Sequence, residues 1–93
     1  MSFYGNSTLK NIVSRGTYSG QEVVNALKKW RFKRIGQTGS HVKLRYINPN
    51  TGEKRTTIVP LHDELATGTL RNIADQAGAQ DFQSFLDALD DLI

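Results

Sequence analysis

Ser40-His41-Val42-Lys43-Leu44-Arg45-Tyr46-Ile47, followed by Asn48-Pro49-Asn50-Thr51-Gly52, is the most regular stretch of the chain. Val42, Leu44 and Tyr46 alternate with His41, Lys43, Arg45 and Ile47, and this period of two marks a half-buried strand. The residues after it have the composition of a turn. Lys54 to Leu61 then supplies a further strand, β-branched at Thr56, Thr57, Ile58 and Val59, with Pro60 setting its end or marking an edge. A strand, a short turn and a strand make a hairpin. Upstream, Phe32 to Gln37 is a shorter extended segment closed by Thr38-Gly39. The expected core is therefore a three-stranded antiparallel sheet.

Helical patterns flank it on both sides. Ser19-Gly20-Gln21-Glu22 reads as a capping box, in which Ser and Glu side chains each satisfy the other's backbone amide. Val23, Val24, Leu27 and Trp30 or Arg31 follow at helical spacing, and Lys28, Lys29 and Arg31 suit the negative end of a helix dipole. This helix is expected to stop near Arg31. After a loop from His62 to Gly68, Leu70, Ile73, Ala74 and Ala77 form the stripe of a second helix, which Gly78 ends in a left-handed cap. Asp81 reads as the cap of a third, with Phe82, Phe85, Leu86, Leu89 and Ile93 on one face. Helices on one face of a small antiparallel sheet define an α+β domain.

The chain has 93 residues and is 38% hydrophobic, enough for one domain with a modest core. We read residues 1–18 as a polar N-terminal extension, 19–79 as the functional domain, and 80–93 as a C-terminal helix. The stripe of that last helix either enlarges the core or docks a second protein. Cysteine is absent, which removes disulfides and thiolate metal sites and fits a reducing cytoplasm. No apolar run is long enough to span a membrane, and Met1 to Ser19 lack the layout of a secretory signal. The net charge of +3 is unevenly placed: residues 1–62 carry +9 and residues 63–93 carry −6. A basic sheet half is what a binder of nucleic-acid phosphates needs, and the acidic half is not expected to touch nucleic acid.

Several short motifs, in order, resemble the HicA (YcfA-like) toxins: Ser19-Gly20, Trp30-Arg31-Phe32, Gly39-Ser40-His41-Val42-Lys43-Leu44, Val59-Pro60-Leu61-His62, Gly68-Thr69-Leu70 and Ile73-Ala74. The resemblance spans roughly residues 18–79. It implies a fold similar to a double-stranded-RNA-binding domain. It also implies a type II toxin that cleaves mRNA without a metal, and a HicB-type antitoxin that neutralises it. By its place in the Gly-Ser-His motif, His41 corresponds to the family's catalytic histidine.

The residues agree with that expectation on their own terms. Alternation sets His41 on one face with Lys43 and Arg45. A histidine exchanges protons near neutral pH, and two cations can hold a phosphate and stabilise charge that develops on it. Gly39 lets the backbone approach a ligand, and the amides at Gly39-Ser40 can meet a phosphate. His62 is open to three roles: a second acid or base, an RNA contact, or a bond to a loop backbone. No metal site is expected, since His62-Asp63-Glu64 lacks a ligand spacing, and no cofactor motif is present. The competing function is a non-catalytic RNA-binding module, which would need the cations but not a titratable group at His41.

Overall fold

The structure is a computed structural model in which residues 16–92 are described. Its elements are α1 (Gly20–Lys29), β1 (Lys33–Thr38), β2 (His41–Ile47), β3 (Lys54–Pro60), α2 (Thr67–Ala77) and α3 (Phe82–Leu92). The fold is α+β, with the helix, three strands and helix of a double-stranded-RNA-binding-like domain plus a C-terminal helix.

The capping box forms as its sequence dictates. Ser19 Oγ accepts from the Glu22 amide at 3.1 Å, and Glu22 Oε1 accepts from the Ser19 amide at 3.0 Å. The helix then buries Val23, Val24, Ala26 and Leu27. It ends two residues short of the expected Arg31, because the chain reverses there. The Arg31 amide donates to the Lys28 carbonyl and the Phe32 amide to the Leu27 carbonyl, at 3.1 and 3.0 Å, with Arg31 in the left-handed region at φ 73°. This pair of bonds is a Schellman motif.

The sheet runs β1-β2-β3, with both pairs antiparallel. Asn48 organises the β2–β3 turn: its Oδ1 accepts from the Asn50 amide at 2.8 Å, and Gly52 closes the loop at φ 78°. Val42, Leu44, Thr57 and Val59 point inward and are buried. Thr57 is the one buried polar residue among them, and its hydroxyl donates to Gln76 Oε1 at 2.7 Å. An edge strand with every residue exposed, β1 carries a bulge between Arg34 and Gly36. That irregularity explains why its sequence shows no alternation.

The α1 and α2 helices pack on β3, and α3 packs on α1 and α2. Leu70, Ile73 and Ala74 are buried, and Gly78 caps α2 at φ 84°. Asp81 caps α3 through the Ser84 amide at 2.8 Å, and Phe85 and Leu89 enter the core. The expected extension lies outside the described residues as far as Arg15. Tyr18, at its end, is a core residue: it is 3% exposed, and its hydroxyl donates to Asp90 at 2.6 Å.

The tightest joint is at Gly20. A Cβ there would lie 2.8 Å from Leu61 Cα and 2.9 Å from the Pro60 carbonyl carbon, and it would overlap the Pro60 carbonyl oxygen. Backbone cannot yield as a side-chain tip does. Gly20→Ala should therefore lower stability by about 2 kcal/mol or more, read as a fall in the urea midpoint. An unchanged midpoint would show that α1 can slide away from β3 freely.

Candidate nucleic-acid interface

Gly39 and Ser40 form a two-residue turn between Thr38 and His41, which pair across the hairpin. Only the first turn residue has positive φ, 58° at Gly39, the pattern of a type II′ hairpin turn. A turn of this length fixes the register, and the register fixes which face His41 occupies. The Gln37 side-chain amide donates to the Gly39 carbonyl at 2.9 Å and steadies the turn.

His41 and Lys43 are exposed, and Arg45 is half-buried. The Arg45 Nε donates to Thr56 Oγ1 at 3.1 Å, which orients its guanidinium along the sheet. Across β3, Pro60, Ile58, Thr56 and Lys54 pair with His41, Lys43, Arg45 and Ile47. Across β1, Lys33 pairs with Arg45 and Thr38 with His41. The three strands contain no Asp or Glu. This face therefore carries the cations Lys33, Lys43, Arg45 and Lys54 beside His41, with no carboxylate among the strand residues. The exposed Ile47 and Ile58 lie between them.

His62 comes two residues after Pro60, the cross-strand partner of His41. Its carbonyl accepts from the Gly20 amide at 2.9 Å, and the Leu61 amide donates to the Ser40 carbonyl at 2.7 Å. These bonds tie the His62 loop to the turn that carries Gly39 and Ser40. Asp63 and Glu64 are exposed, and no set of three or more His, Asp or Glu suited to a cation occurs among the described residues. Among the described residues no helix or loop covers the sheet face around His41.

A cavity of about 640 Å³ lies elsewhere, under the sheet end reached five residues along β2 from His41. Trp30, Arg31, Tyr46, Arg55 and Phe85 help line it. The sequence pattern puts Trp30 and Phe85 on helix stripes and Tyr46 in the inward row of β2, and it gives none of them a ligand role. The signal available was an arginine at the position where a helix commonly ends in glycine.

The family model described as HicA toxin of bacterial toxin-antitoxin matches residues 20–79, from the start of α1 to just beyond Gly78. The chain belongs to the HicA toxin family. Comparison with curated proteins and with solved structures gives no significant match. As a HicA-family chain it is a toxin of the toxin–antitoxin kind, and an antitoxin is implied as its partner. The matched region holds the whole sheet and the His41 face, and α3 lies beyond it. No described helix is long and apolar enough to cross a membrane.

The turn offers a test that leaves the proposed RNA-facing side chains in place. A Cβ at Gly39 would meet nothing within 4 Å, so its only penalty is the left-handed backbone. Gly39→Ala should cost about 1–2 kcal/mol. In thermal unfolding, a loss well above that range would reveal a steric role for Gly39, and no loss would show that the turn has changed type.

Proposed function

We propose that this HicA-family toxin is an endoribonuclease that cleaves mRNA by proton transfer at His41, without a metal. The observation that carries the reading is the placement of an exposed histidine at the start of β2, in line with Lys43 and Arg45, on a sheet without carboxylates. In the proposed step the RNA 2′-oxygen attacks its adjacent phosphorus. The 2′-hydroxyl proton leaves to a base, the bond from phosphorus to the 5′-oxygen breaks, and that oxygen takes up a proton. His41 serves as the base or as the acid. Lys43 and Arg45 stabilise the charge that builds on the phosphoryl oxygens. Gly39 and Ser40 let the backbone meet a phosphate, and His62 contacts RNA from the neighbouring loop.

The catalytic domain in this reading is residues 19–79, working on mRNA in the cytoplasm. Its partner is a HicB-type antitoxin that covers the basic face with acidic or hydrogen-bonding groups and so competes with RNA.

The decisive experiment is inducible expression of wild type and His41→Ala. Wild type should arrest growth and fragment mRNA, while His41→Ala should fold and be harmless. Purified wild type should keep cutting in EDTA, since the charge at this face comes from side-chain cations. Equal toxicity of the two proteins would remove His41 from the mechanism. RNA that is bound but left intact by wild type would favour the non-catalytic binding module.

The cations make a separate quantitative prediction. Lys43→Ala and Arg45→Ala, each in a His41→Ala background, should lower the slope of log affinity against log salt by about 0.7–1 unit. Slopes equal to that of the parent would place RNA away from this face.

A further inference from the structure

A residue that sits where glycine would be less strained invites the question of what its side chain does. The chain contains the same helix ending twice. After α2, the Gly78 amide donates to the Asp75 carbonyl at 3.1 Å and the Ala79 amide to the Ala74 carbonyl at 3.0 Å, with Gly78 at φ 84°. After α1, Arg31 and Phe32 make the equivalent bonds to Lys28 and Leu27, with Arg31 at φ 73°. Arg31 is the only described residue other than glycine with positive φ. The left-handed backbone disfavours any Cβ, so glycine would hold the same bonds with less strain. Among the described residues the Arg31 guanidinium has no hydrogen bond, ion pair or ring contact, and it is exposed. Packing therefore does not explain it.

Arg31 lines the cavity of about 640 Å³, a size within the range of small-ligand sites. Trp30 and Tyr46, both half-buried, also line it. Trp30 is fixed against Phe85 at 5.9 Å between ring centroids, and Tyr46 against Phe32 at 5.6 Å. Lys29 and Arg55 add charge, and the lining contains no Asp or Glu. Arg55 is partly committed, since it pairs with Glu53 at 3.1 Å. Aromatic rings bordered by cations are the recurring means of holding single-stranded nucleic acid.

We propose that this cavity is a second RNA subsite, taking one unpaired base against Trp30 and Tyr46 and the attached phosphate on Arg31. The inference rests on RNA being the ligand of the sheet face. The cavity lies on the helix side of the sheet and His41 on the open side, and the two meet round the end of β1, where Lys33, two residues after Arg31, pairs with Arg45. Five residues of β2 separate His41 from Tyr46, about 17 Å of strand. An RNA strand that passes round the sheet from one face to the other covers at least this distance, the rise of about five stacked nucleotides. The carbonyl-bearing ends of α1 and α2 both meet this cavity, and such ends repel anions. The phosphate accordingly stays at the Arg31 rim while the uncharged base goes inward. A base selected there would bias which phosphate reaches His41.

Trp30 is the only tryptophan of the chain, so its fluorescence reports this site alone. The test titrates the His41→Ala protein, which keeps RNA whole, with an unstructured oligoribonucleotide of about ten nucleotides. Trp30 emission should be quenched on binding. Arg31→Gly in the same background should bind about tenfold more weakly and melt at a higher temperature, since glycine relieves the backbone strain. An unquenched Trp30, or an Arg31→Gly protein that binds RNA as well as its parent, overturns the subsite. So does a loss of antitoxin affinity in Arg31→Gly with RNA affinity intact, which would give the cavity to a protein partner. Wild-type cleavage separates the two readings. Cleavage without quenching removes the subsite alone, whereas quenching in a wild type that leaves RNA intact removes the catalytic reading and leaves the subsite standing.

Discussion

The close approach of α1 to the end of β3 governs the rest of the molecule. At Gly20 the helix backbone lies directly on Pro60 and Leu61 with no room for a Cβ. Two hydrogen bonds seal the contact, from the Gly20 amide to the His62 carbonyl and from the Leu61 amide to the Ser40 carbonyl. The start of the helix, the end of one strand and the start of another are thereby fixed together. A helix of ten residues has little stability by itself, so α1 depends on this docking. Once it is seated, Val23, Val24 and Leu27 share a core with Val42, Leu44 and Val59. The described helices then lie on one side, and no described element covers the other side of the sheet.

One parity along β2 consequently does two jobs. Even-numbered residues build the core and odd-numbered residues build the basic face. A slip of one residue would exchange them, so core burial itself enforces the position of His41. The turns at Gly39-Ser40 and Asn48 to Glu53 pin the register at both ends. The open face accepts an electrostatic penalty in return. Lys33, Lys43, Arg45 and Lys54 repel one another with no carboxylate on the strands to offset them, and a bound polyanion relieves that repulsion. The exposed Arg55–Glu53 pair does not help, since such surface pairs contribute about 0–1 kcal/mol.

Features set by local chemistry were readable in the sequence, and features set by distant contacts were not. The Ser19 and Glu22 cap, the alternation of β2, the Gly78 stop and the Asp81 cap each depend on residues a few positions apart. They stand where their spacing put them. Tyr18 reads as part of a polar extension because its partners are distant in sequence, the core around it and Asp90, 72 positions away. The exposed, bulged β1 has no periodic signal for the same reason that it has no buried face. At the candidate site, parity placed His41, Lys43 and Arg45 together. The backbone bonds that tie Leu61 to Ser40 and His62 to Gly20 needed the fold. The left-handed Arg31 and the crowding at Gly20 depend on how the chain reverses and docks, which local spacing does not specify.

The C-terminal helix lies outside the matched family region, yet its contacts reach the centre of the domain. A small sheet that the described helices cover on one side has limited apolar surface to bury. Phe85 and Leu89 add to that core, Phe85 braces Trp30, and Asp90 holds Tyr18. The same helix concentrates acid: Asp87, Asp90 and Asp91 belong to a segment of net charge −6. Its position over α1 and α2, on the helix layer, sets this negative charge apart from the open sheet face. The acidic surface of α3 repels an approaching polyanion and the side that carries His41 attracts it, while Lys29 and Arg31 keep the rim of the cavity basic. The helix thus contributes to both stability and orientation, through its apolar stripe and its acidic surface respectively.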